Sequence, residues 1–296
     1  MGGCGWIAKA SWAFLAALLA LAPPKASGQP TITVFAAADL AFAFRQALPR
    51  LEQALGVKVT VVLGSTGNLA RQIEQGAPAD LFFAADQRFV ERLVASGILI
   101  AETQALYAQG RIVLATARSF GPKLTDLRAL LNPKLRHVAI ANPLHAPYGK
   151  AAEEALRKAG VWEALTPKLV YGENVRHALQ FIQTGGAEAG IIARSIADVP
   201  EIDWILIDAD LHAPLNQTAA VVKRSPRPEL GLAFIRFVNG TEGRAIMKRY
   251  GLLLPGEFRS KGVSTLPSEP PSGVARAGYP RSGCAPGPVT GRENEF

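Results

Sequence analysis

Cysteine is almost absent from this chain of 296 residues, which contains only Cys4 and Cys284. The long stretch between them, residues 29–257, therefore has no cysteine and can form no disulfide within itself. A fold without disulfides must be stabilised by its hydrophobic core. Hydrophobic residues make up 49% of the chain, which is enough for such a core in about two domains.

Long apolar runs are also missing, except near the N-terminus. The run "SWAFLAALLALA", residues 11–22, is too short to cross a bilayer, which takes about 20 apolar residues. Lys9 precedes this run, and Ala26 and Gly28 follow it in the small-x-small pattern of a cleavage site. We therefore predict a cleaved signal peptide at residues 1–28 and a periplasmic protein.

A strong charge of either sign is missing from the central part of the chain. The net charge of +8 falls to +4 in residues 29–257, which hold 25 basic and 21 acidic residues. The basic residues are scattered and are not interleaved with aromatic residues, so the sequence predicts no nucleic-acid partner. A modest positive charge is compatible with an anionic ligand, although it does not identify one.

Motifs of common enzymes and metal sites are absent as well. The chain contains no GxSxG, no Walker loop, no GxGxxG and no HExxH. Its four histidines are scattered without metal-ligand spacing: His137, His145, His177 and His212. Neither Ser65 nor Thr66 has a histidine nearby in sequence that would make it a nucleophile. We therefore predict a protein that is not an enzyme, with no cofactor and no metal-binding site for a free ion.

The sequence does contain short apolar runs that alternate with helical patterns. This alternation is typical of an α/β protein with mainly parallel sheets and flanking helices. The predicted strands are "TITVFAAA", "VKVTVVLG", "ADLFFAA", "RIVLAT", "HVAIAN", "KLVYG", "AEAGIIA", "WILIDA" and "TAAVVK". Among the segments between them, "LTDLRALLN" is predicted as a helix, and "PELGLAFIRFVNGTEGRAIMKRYG" as a closing helix or helix pair.

These units are too many for one sheet, and we predict two lobes with a cleft between them. The first lobe is expected to comprise residues 29–108 and 218–257, and the second residues 109–217. The chain would thus cross twice between the lobes. Residues 258–296 are rich in Pro, Gly and Ser and poor in large apolar residues, which predicts a disordered C-terminal tail.

Small and polar residues stand where predicted strands meet helices. They are Asp39 after three alanines, Ser65 and Thr66 in "GSTGN", Tyr148 in "PLHAPYGK" and Val175 in "ENVRHAL". In open α/β sheets ligands bind at the carboxyl ends of strands, where helix N-termini present unpaired N–H groups. Several such ends are suited to a small oxyanion. Each residue also has a simpler interpretation as a cap, a rim residue or a core residue.

Together these segments resemble a known family. The motifs "ITVFAAADL", "GSTGNLARQIEQGAPADLFFAAD", "NPLHAPYGKAAEEAL" and "GENVRHALQFIQTGGAEAGII" are similar to those of the periplasmic molybdate-binding proteins of ABC transporters, over residues 31–254. The resemblance implies the type II periplasmic-binding fold and capture of molybdate or tungstate for a membrane permease with its ATPase. We expect a monomer. The implied ligand shell is Asp39, Ser65, Thr66, Tyr148 and Val175.

Two positions depart from the family pattern. Many members have Ser or Asn at the position of Asp39, and a Tyr at the position of Ala193, which Tyr148 would replace. The general preference of Asp for N-caps predicts that Asp39 caps the helix beginning near Leu40 and turns its carboxylate away from the anion. A protonated Asp39, or a different ligand, is the alternative. Other functions left open are binding of another small anion, binding of a cation by Asp39, or an exported hydrolase using Asp39 or Asp86.

Overall fold

The computed structural model describes residues 29–257, which form two five-stranded sheets with helices packed against them. The predicted α/β class and two-lobe architecture are confirmed. The predicted signal peptide, residues 1–28, and the predicted tail, residues 258–296, lie outside the described residues. Within residues 29–257, none of the helices combines the length and the apolar composition that a bilayer crossing needs.

The first sheet is built mainly from the N-terminal part of the described chain. The elements of this part are β1 (Thr31–Ala37), α1 (Ala41–Leu55), β2 (Lys58–Gly64), α2 (Thr66–Glu74), β3 (Leu81–Ala84), α3 (Gln87–Ala95) and β4 (Ala105–Gly110). We call this sheet, with the helices packed on it, the first lobe. Its N-terminal helices each follow a strand, as the alternation predicted.

The second sheet, with its own helices, forms the second lobe. Its elements are β5 (Ile112–Ala117), β6 (Val138–Ala141), α4 (Pro147–Lys158), α5 (Trp162–Leu165), β7 (Leu169–Gly172), α6 (Val175–Gln183), β8 (Ala189–Ala193) and β9 (Ile202–Leu206). The chain then returns to the first lobe through β10 (Leu215–Val221), α7 (Pro228–Asn239) and α8 (Thr241–Arg249). The last two helices pack against α1, so the closing segment is a helix pair on the first lobe.

Both sheets are mixed, where the alternation predicted mainly parallel strands. The strand orders are β2-β1-β3-β10-β4 and β7-β6-β8-β5-β9. β1 runs parallel to β2 and β3, and β6 runs parallel to β7 and β8. β10 and β5 run antiparallel to both of their neighbours. These two strands enter their sheets from the other lobe without a crossover helix, so the alternation does not set their direction.

The chain crosses between the sheets at two places. Arg111 alone separates β4 from β5, and residues 207–214 connect β9 to β10. The expected lobe boundaries, at 108/109 and 217/218, fall inside β4 and β10, whose last and first residues belong to the first sheet. The segment "ALYAQG" of β4 was not predicted as a strand.

The predicted helix "LTDLRALLN" is a short 3-10 helix instead, Leu127–Leu131. Asp126 caps it, since its side chain accepts a hydrogen bond of 2.9 Å from the Ala129 N–H. Pro133 disfavours helical geometry at the residue before it, so only five residues remain between the cap and Asn132. The helical segment is therefore confined to these five residues.

An aromatic cluster fills one face of the first sheet. The ring of Phe83 on β3 lies 5.2 Å from Phe44, 5.1 Å from Tyr107 and 5.3 Å from Phe234, measured between ring centroids. The four residues come from α1, β3, β4 and α7, so the cluster joins the N-terminal part of the lobe to the closing helix. Phe83 is fully buried at its centre.

We expect Phe83→Ala to lower the free energy of unfolding by about 3–5 kcal/mol, because the lost ring leaves a cavity among three other aromatic side chains. Phe89 on α3 is only partly buried, so Phe89→Ala is the matched control and should cost clearly less. Urea unfolding followed by fluorescence measures both. Equal losses for the two variants would contradict the central role of Phe83.

Candidate functional site

The five residues predicted to form a site all lie around one small cavity in the cleft. Asp39, Ser65 and Thr66 come from the first lobe, and Tyr148 and Val175 from the second. The other lining residues are Ala37, Ala38, Gly64, Ala85, Ala146, Pro147 and Asn174. The set contains no lysine and no arginine. Small side chains therefore surround a few polar groups that reach the cavity from both lobes.

A larger groove of about 590 Å³ borders the same cleft. Its lining includes the exposed residues Glu173 and Arg176, but none of the five predicted residues. Exposed charges of both signs there are surrounded by solvent, so they provide no built set of donors. The small cavity is the better candidate for a ligand site.

Asp39 does not cap a helix, so that prediction is wrong. It is the middle residue of a 3-10 turn, Ala38–Leu40, between β1 and α1, and neither this turn nor α1 has a side-chain cap. The carboxylate instead accepts hydrogen bonds at Oδ2 from the hydroxyl of Tyr148, at 2.9 Å, and from Nε2 of Gln217, at 2.7 Å. These bonds join the first lobe, the second lobe and the returning strand β10 at one atom.

The burial of Asp39 determines its electrostatics. Its side chain is inaccessible to solvent, and this burial raises the pKa of Asp39 to about 6, although the hydrogen bonds from Gln217 and Tyr148 oppose the rise. Burial, together with the charge of Asp39, also raises the pKa of Tyr107 and of Tyr148 well above the ordinary value. Oδ1 of Asp39 is buried and has no hydrogen-bond partner among the described residues.

Gly110, the last residue of β4, leaves room for this hydrogen-bond network. A Cβ atom at Gly110 would lie 2.2 Å from the hydroxyl oxygen of Tyr148 and 3.0 Å from Nε2 of Gln217. Any larger residue would therefore displace the tyrosine from Asp39. The crossing between the lobes starts at this residue, so the close approach of the two lobes depends on its missing side chain.

The two hydroxyls of the "GSTGN" turn differ in their bonding. Thr66 Oγ1 accepts a hydrogen bond of 3.0 Å from the Ala85 N–H, which leaves the hydroxyl proton of Thr66 available. Ser65 Oγ lies 2.8 Å from Nδ1 of His145, a residue of the second lobe. No histidine partner of Ser65 was predicted, because the two residues are 80 positions apart in the chain, and the structure corrects this.

The remaining two residues stand at helix N-termini. Tyr148 is the second residue of α4, and Val175 is the first residue of α6. Asn174 caps α6, with its side chain accepting from the N–H groups of Arg176 and His177 at 3.0 and 3.1 Å. The Val175 N–H takes no part in this cap, and a first-turn N–H has no partner within its helix. The positive ends of α2, α4 and α6 thus meet at the cavity.

Sequence reasoning missed three residues that connect the lobes: Gln217, His145 and Ser195. The Ser195 hydroxyl donates to the backbone oxygen of Asp39 at 2.8 Å. Gln217 is fully buried within β10, but it lies one residue before the predicted strand "TAAVVK", so the strand pattern did not point to it. Ala193 is buried at the end of β8 and does not line the cavity.

Asp86 is the N-cap residue of α3. Its carboxylate caps α3 by accepting from the Arg88 N–H at 2.9 Å, and it also pairs with the Arg88 guanidinium. Among residues 29–257, no group of three or more His, Cys, Asp or Glu side chains is arranged to hold a metal ion. The cavity is lined by hydroxyl groups and by helix N-termini.

Comparison with known proteins identifies the family of this chain. A family model described as bacterial extracellular solute-binding protein matches residues 32–253. The chain belongs to this family. The solute-binding protein is 34% identical over 239 residues to the "Molybdate-binding protein ModA" of Rhodobacter capsulatus, covering 80% of this chain and 93% of that protein. It is 35% identical over 231 residues to the protein of the same name from Escherichia coli K12, covering 75% and 89%.

A solved structure supports the same assignment. The periplasmic molybdate-binding protein of Azotobacter vinelandii matches this solute-binding protein with a TM-score of 0.70 and 28% identity, covering 76% of this chain and 99% of that chain. These relatives confirm the resemblance to molybdate-binding proteins that the motifs predicted. Each of them is named as a binding protein.

We expect Tyr148→Phe to lower the free energy of unfolding by about 1–3 kcal/mol, because it removes a buried hydrogen bond to the Asp39 carboxylate. Tyr171 is partly exposed, at 44%, so Tyr171→Phe is the matched control, with a change within about 0.5 kcal/mol. Chemical unfolding at pH 7 measures both variants. The proposed importance of the Asp39 network is contradicted if Tyr148→Phe is no more costly than the control.

Proposed function

We propose that this protein is the substrate-binding component of an ABC importer that captures molybdate, or tungstate, in the cavity between its lobes. The observation that carries the proposal is the convergence of hydroxyl and N–H donors from both lobes on one cavity without lysine or arginine. The relatives named as molybdate-binding proteins supply the ligand class. In this proposal the protein delivers the anion to a membrane permease driven by an ATPase.

The donors have complementary roles in holding a tetrahedral oxyanion. Thr66 offers its hydroxyl proton, because its oxygen already accepts from Ala85. Val175 offers its backbone N–H at the start of α6, and Ser65 a hydroxyl at the start of α2. Helix N-termini favour anions through their unpaired N–H groups and partial positive charge. Neutral donors also suit a receptor that must release its ligand, since no full counter-charge holds it.

The same proposal assigns the lobes a function. The first lobe and the second lobe would act as the two halves of a clamp, joined at Arg111 and at residues 207–214. A ligand bound by both halves stabilises the closed conformation, as in other proteins whose domains close around a ligand by a hinge motion. We propose that the protein works as a periplasmic monomer.

Asp39 has to be neutral for this proposal to hold. A carboxylate facing a dianion would cost about 4 kcal/mol for each pair of unit charges about 4 Å apart, at an effective dielectric constant of about 20. With the pKa of Asp39 near 6, taking up a proton at pH 7 costs only about 1.4 kcal/mol. Protonation is therefore the cheaper solution, and we propose that Asp39 binds the anion as a neutral acid.

A hydrolase is the second candidate, because Ser65 and His145 form a close pair. A serine nucleophile needs a histidine whose other nitrogen is oriented by a third group, usually a carboxylate. Among the described residues, no carboxylate hydrogen-bonds to His145. Cation binding by Asp39 is also unsupported, since this carboxyl stands without other acidic or histidine ligands in the described cavity.

We expect molybdate and tungstate to bind the full chain and to raise its melting temperature. A ligand at a hundredfold its Kd that binds only the folded state stabilises it by about 2.7 kcal/mol. Titration calorimetry against molybdate, tungstate, sulfate and phosphate measures the preference. If a folded sample shows neither a heat of binding nor a thermal shift with any of the four anions, the oxyanion proposal is contradicted.

Val175 provides a matched pair of variants for the same titration. Val175→Pro removes the N–H while proline is well tolerated at the first helical position, so binding should weaken. Val175→Ala keeps the N–H and should bind like the wild type.

We expect oxyanion affinity to fall as pH rises above about 6, because the pKa of Asp39 is raised to about 6 and only its protonated form suits the anion. The fall approaches tenfold per pH unit at most, since one proton is taken up. Asp39→Asn should remove this dependence, because the amide oxygen can accept from Tyr148 and Gln217 while its N–H₂ donates to the ligand. Titrations from pH 6 to 8.5 test this, and identical slopes for wild type and Asp39→Asn would contradict the neutral-acid role.

A further inference from the structure

We propose that His145 is a positioning residue for the oxyanion, which donates a hydrogen bond from Nδ1 to Ser65 Oγ across the cleft and so leaves the serine proton for the ligand. This inference rests on the proposed function. It concerns a residue outside the cavity lining, on the loop between β6 and α4 of the second lobe. The Nδ1–Oγ distance of 2.8 Å is that of a direct hydrogen bond.

The backbone around His145 is fixed against the first turn of α2. The His145 carbonyl oxygen accepts from the Gly67 N–H at 2.9 Å. A Cβ atom at Gly67 would lie only 2.7 Å from that oxygen, so a glycine is needed for this contact. The loop itself is held by Asn142, whose side chain accepts from the Leu144 N–H at 3.0 Å. The imidazole is therefore presented to Ser65 from a fixed backbone.

The number of available protons makes the tautomer of His145 decisive. A serine hydroxyl has one proton and two acceptor sites, and a neutral imidazole has one N–H. If Nδ1 of His145 accepts, the Ser65 hydroxyl donates its only proton to the histidine and presents lone pairs to the anion. If Nδ1 carries the proton and donates, the hydroxyl of Ser65 is free to donate to the anion. Only the second arrangement attracts an oxyanion.

The surroundings of His145 favour an uncharged imidazole, so only its two neutral tautomers need to be compared. Partial burial lowers the pKa of His145, with Glu173 acting in the opposite direction and Arg71 in the same direction. At neutral pH the ring is therefore uncharged, and its single proton resides on Nδ1 or Nε2. Ligand binding should select the Nδ1–H form, and because the bond spans the cleft, it also ties ligand capture to contact between the lobes.

A double-mutant cycle in the full chain tests the inference, with molybdate as the ligand in titration calorimetry. His145→Ala should weaken binding about tenfold, the loss that corresponds to 1.4 kcal/mol. In the Ser65→Ala background the same change should alter Kd by less than about twofold, because the hydroxyl it acts through is gone. His145→Asn, which keeps a side-chain N–H donor, should recover most of the affinity.

Independent losses in the two backgrounds, or no loss in His145→Ala, would overturn the role of His145 while leaving the molybdate proposal intact. A wild-type chain that binds no oxyanion would overturn both. Unfolding of each variant without ligand separates a folding defect from a binding defect.

The ring nitrogens provide a second readout. ¹⁵N spectra of the four histidines, with His145 assigned from the His145→Asn variant, should show the Nδ1–H tautomer of His145 in the presence of molybdate. An Nε2–H tautomer in the complex would overturn the inference, because Nδ1 would then be the acceptor. A merely structural contact with Nδ1 as acceptor would leave the Nε2–H tautomer in place when molybdate is added.

Discussion

The contact between the lobes depends on one buried carboxyl group. Oδ2 of Asp39 accepts hydrogen bonds from Tyr148 of the second lobe and from Gln217 of the returning strand β10. The backbone oxygen of Asp39 accepts a further bond from Ser195. Because an unsatisfied buried acceptor is costly, these donors must stay in place, and the missing side chain of Gly110 leaves the space that they need.

Much of this architecture was predictable because it follows from local rules. Apolar runs that alternate with helical patterns indicate α/β lobes, and the carboxyl ends of strands place helix N-termini on one side of each sheet. This reasoning selected Ser65, Thr66, Tyr148 and Val175 before any contact was known, and the structure brings them around one cavity with Asp39. Whether they bind an oxyanion remains a prediction.

The parts that could not be predicted depend on contacts between distant segments. Asp39 is 109 residues from Tyr148 and 178 residues from Gln217, so its hydrogen bonds left no local pattern and capping was the wrong inference. The same holds for Ser65 and His145, which are 80 residues apart. Strands β5 and β10 were predicted, but their antiparallel direction was not, because it is set by the crossings between lobes and not by a helix beside them.

The lack of lysine and arginine in the cavity lining has a consequence for where such a receptor can work. Attraction between a dianion and exposed cations is screened by dissolved salt, with a Debye length of about 10 Å at 0.1 M. Helix N–H groups and hydroxyls that line a cavity act over hydrogen-bond distances, which are much shorter than this screening length. Under the proposed function, the affinity for the anion would therefore be nearly independent of ionic strength. A cell could take up the anion equally well at low and at high salt concentration.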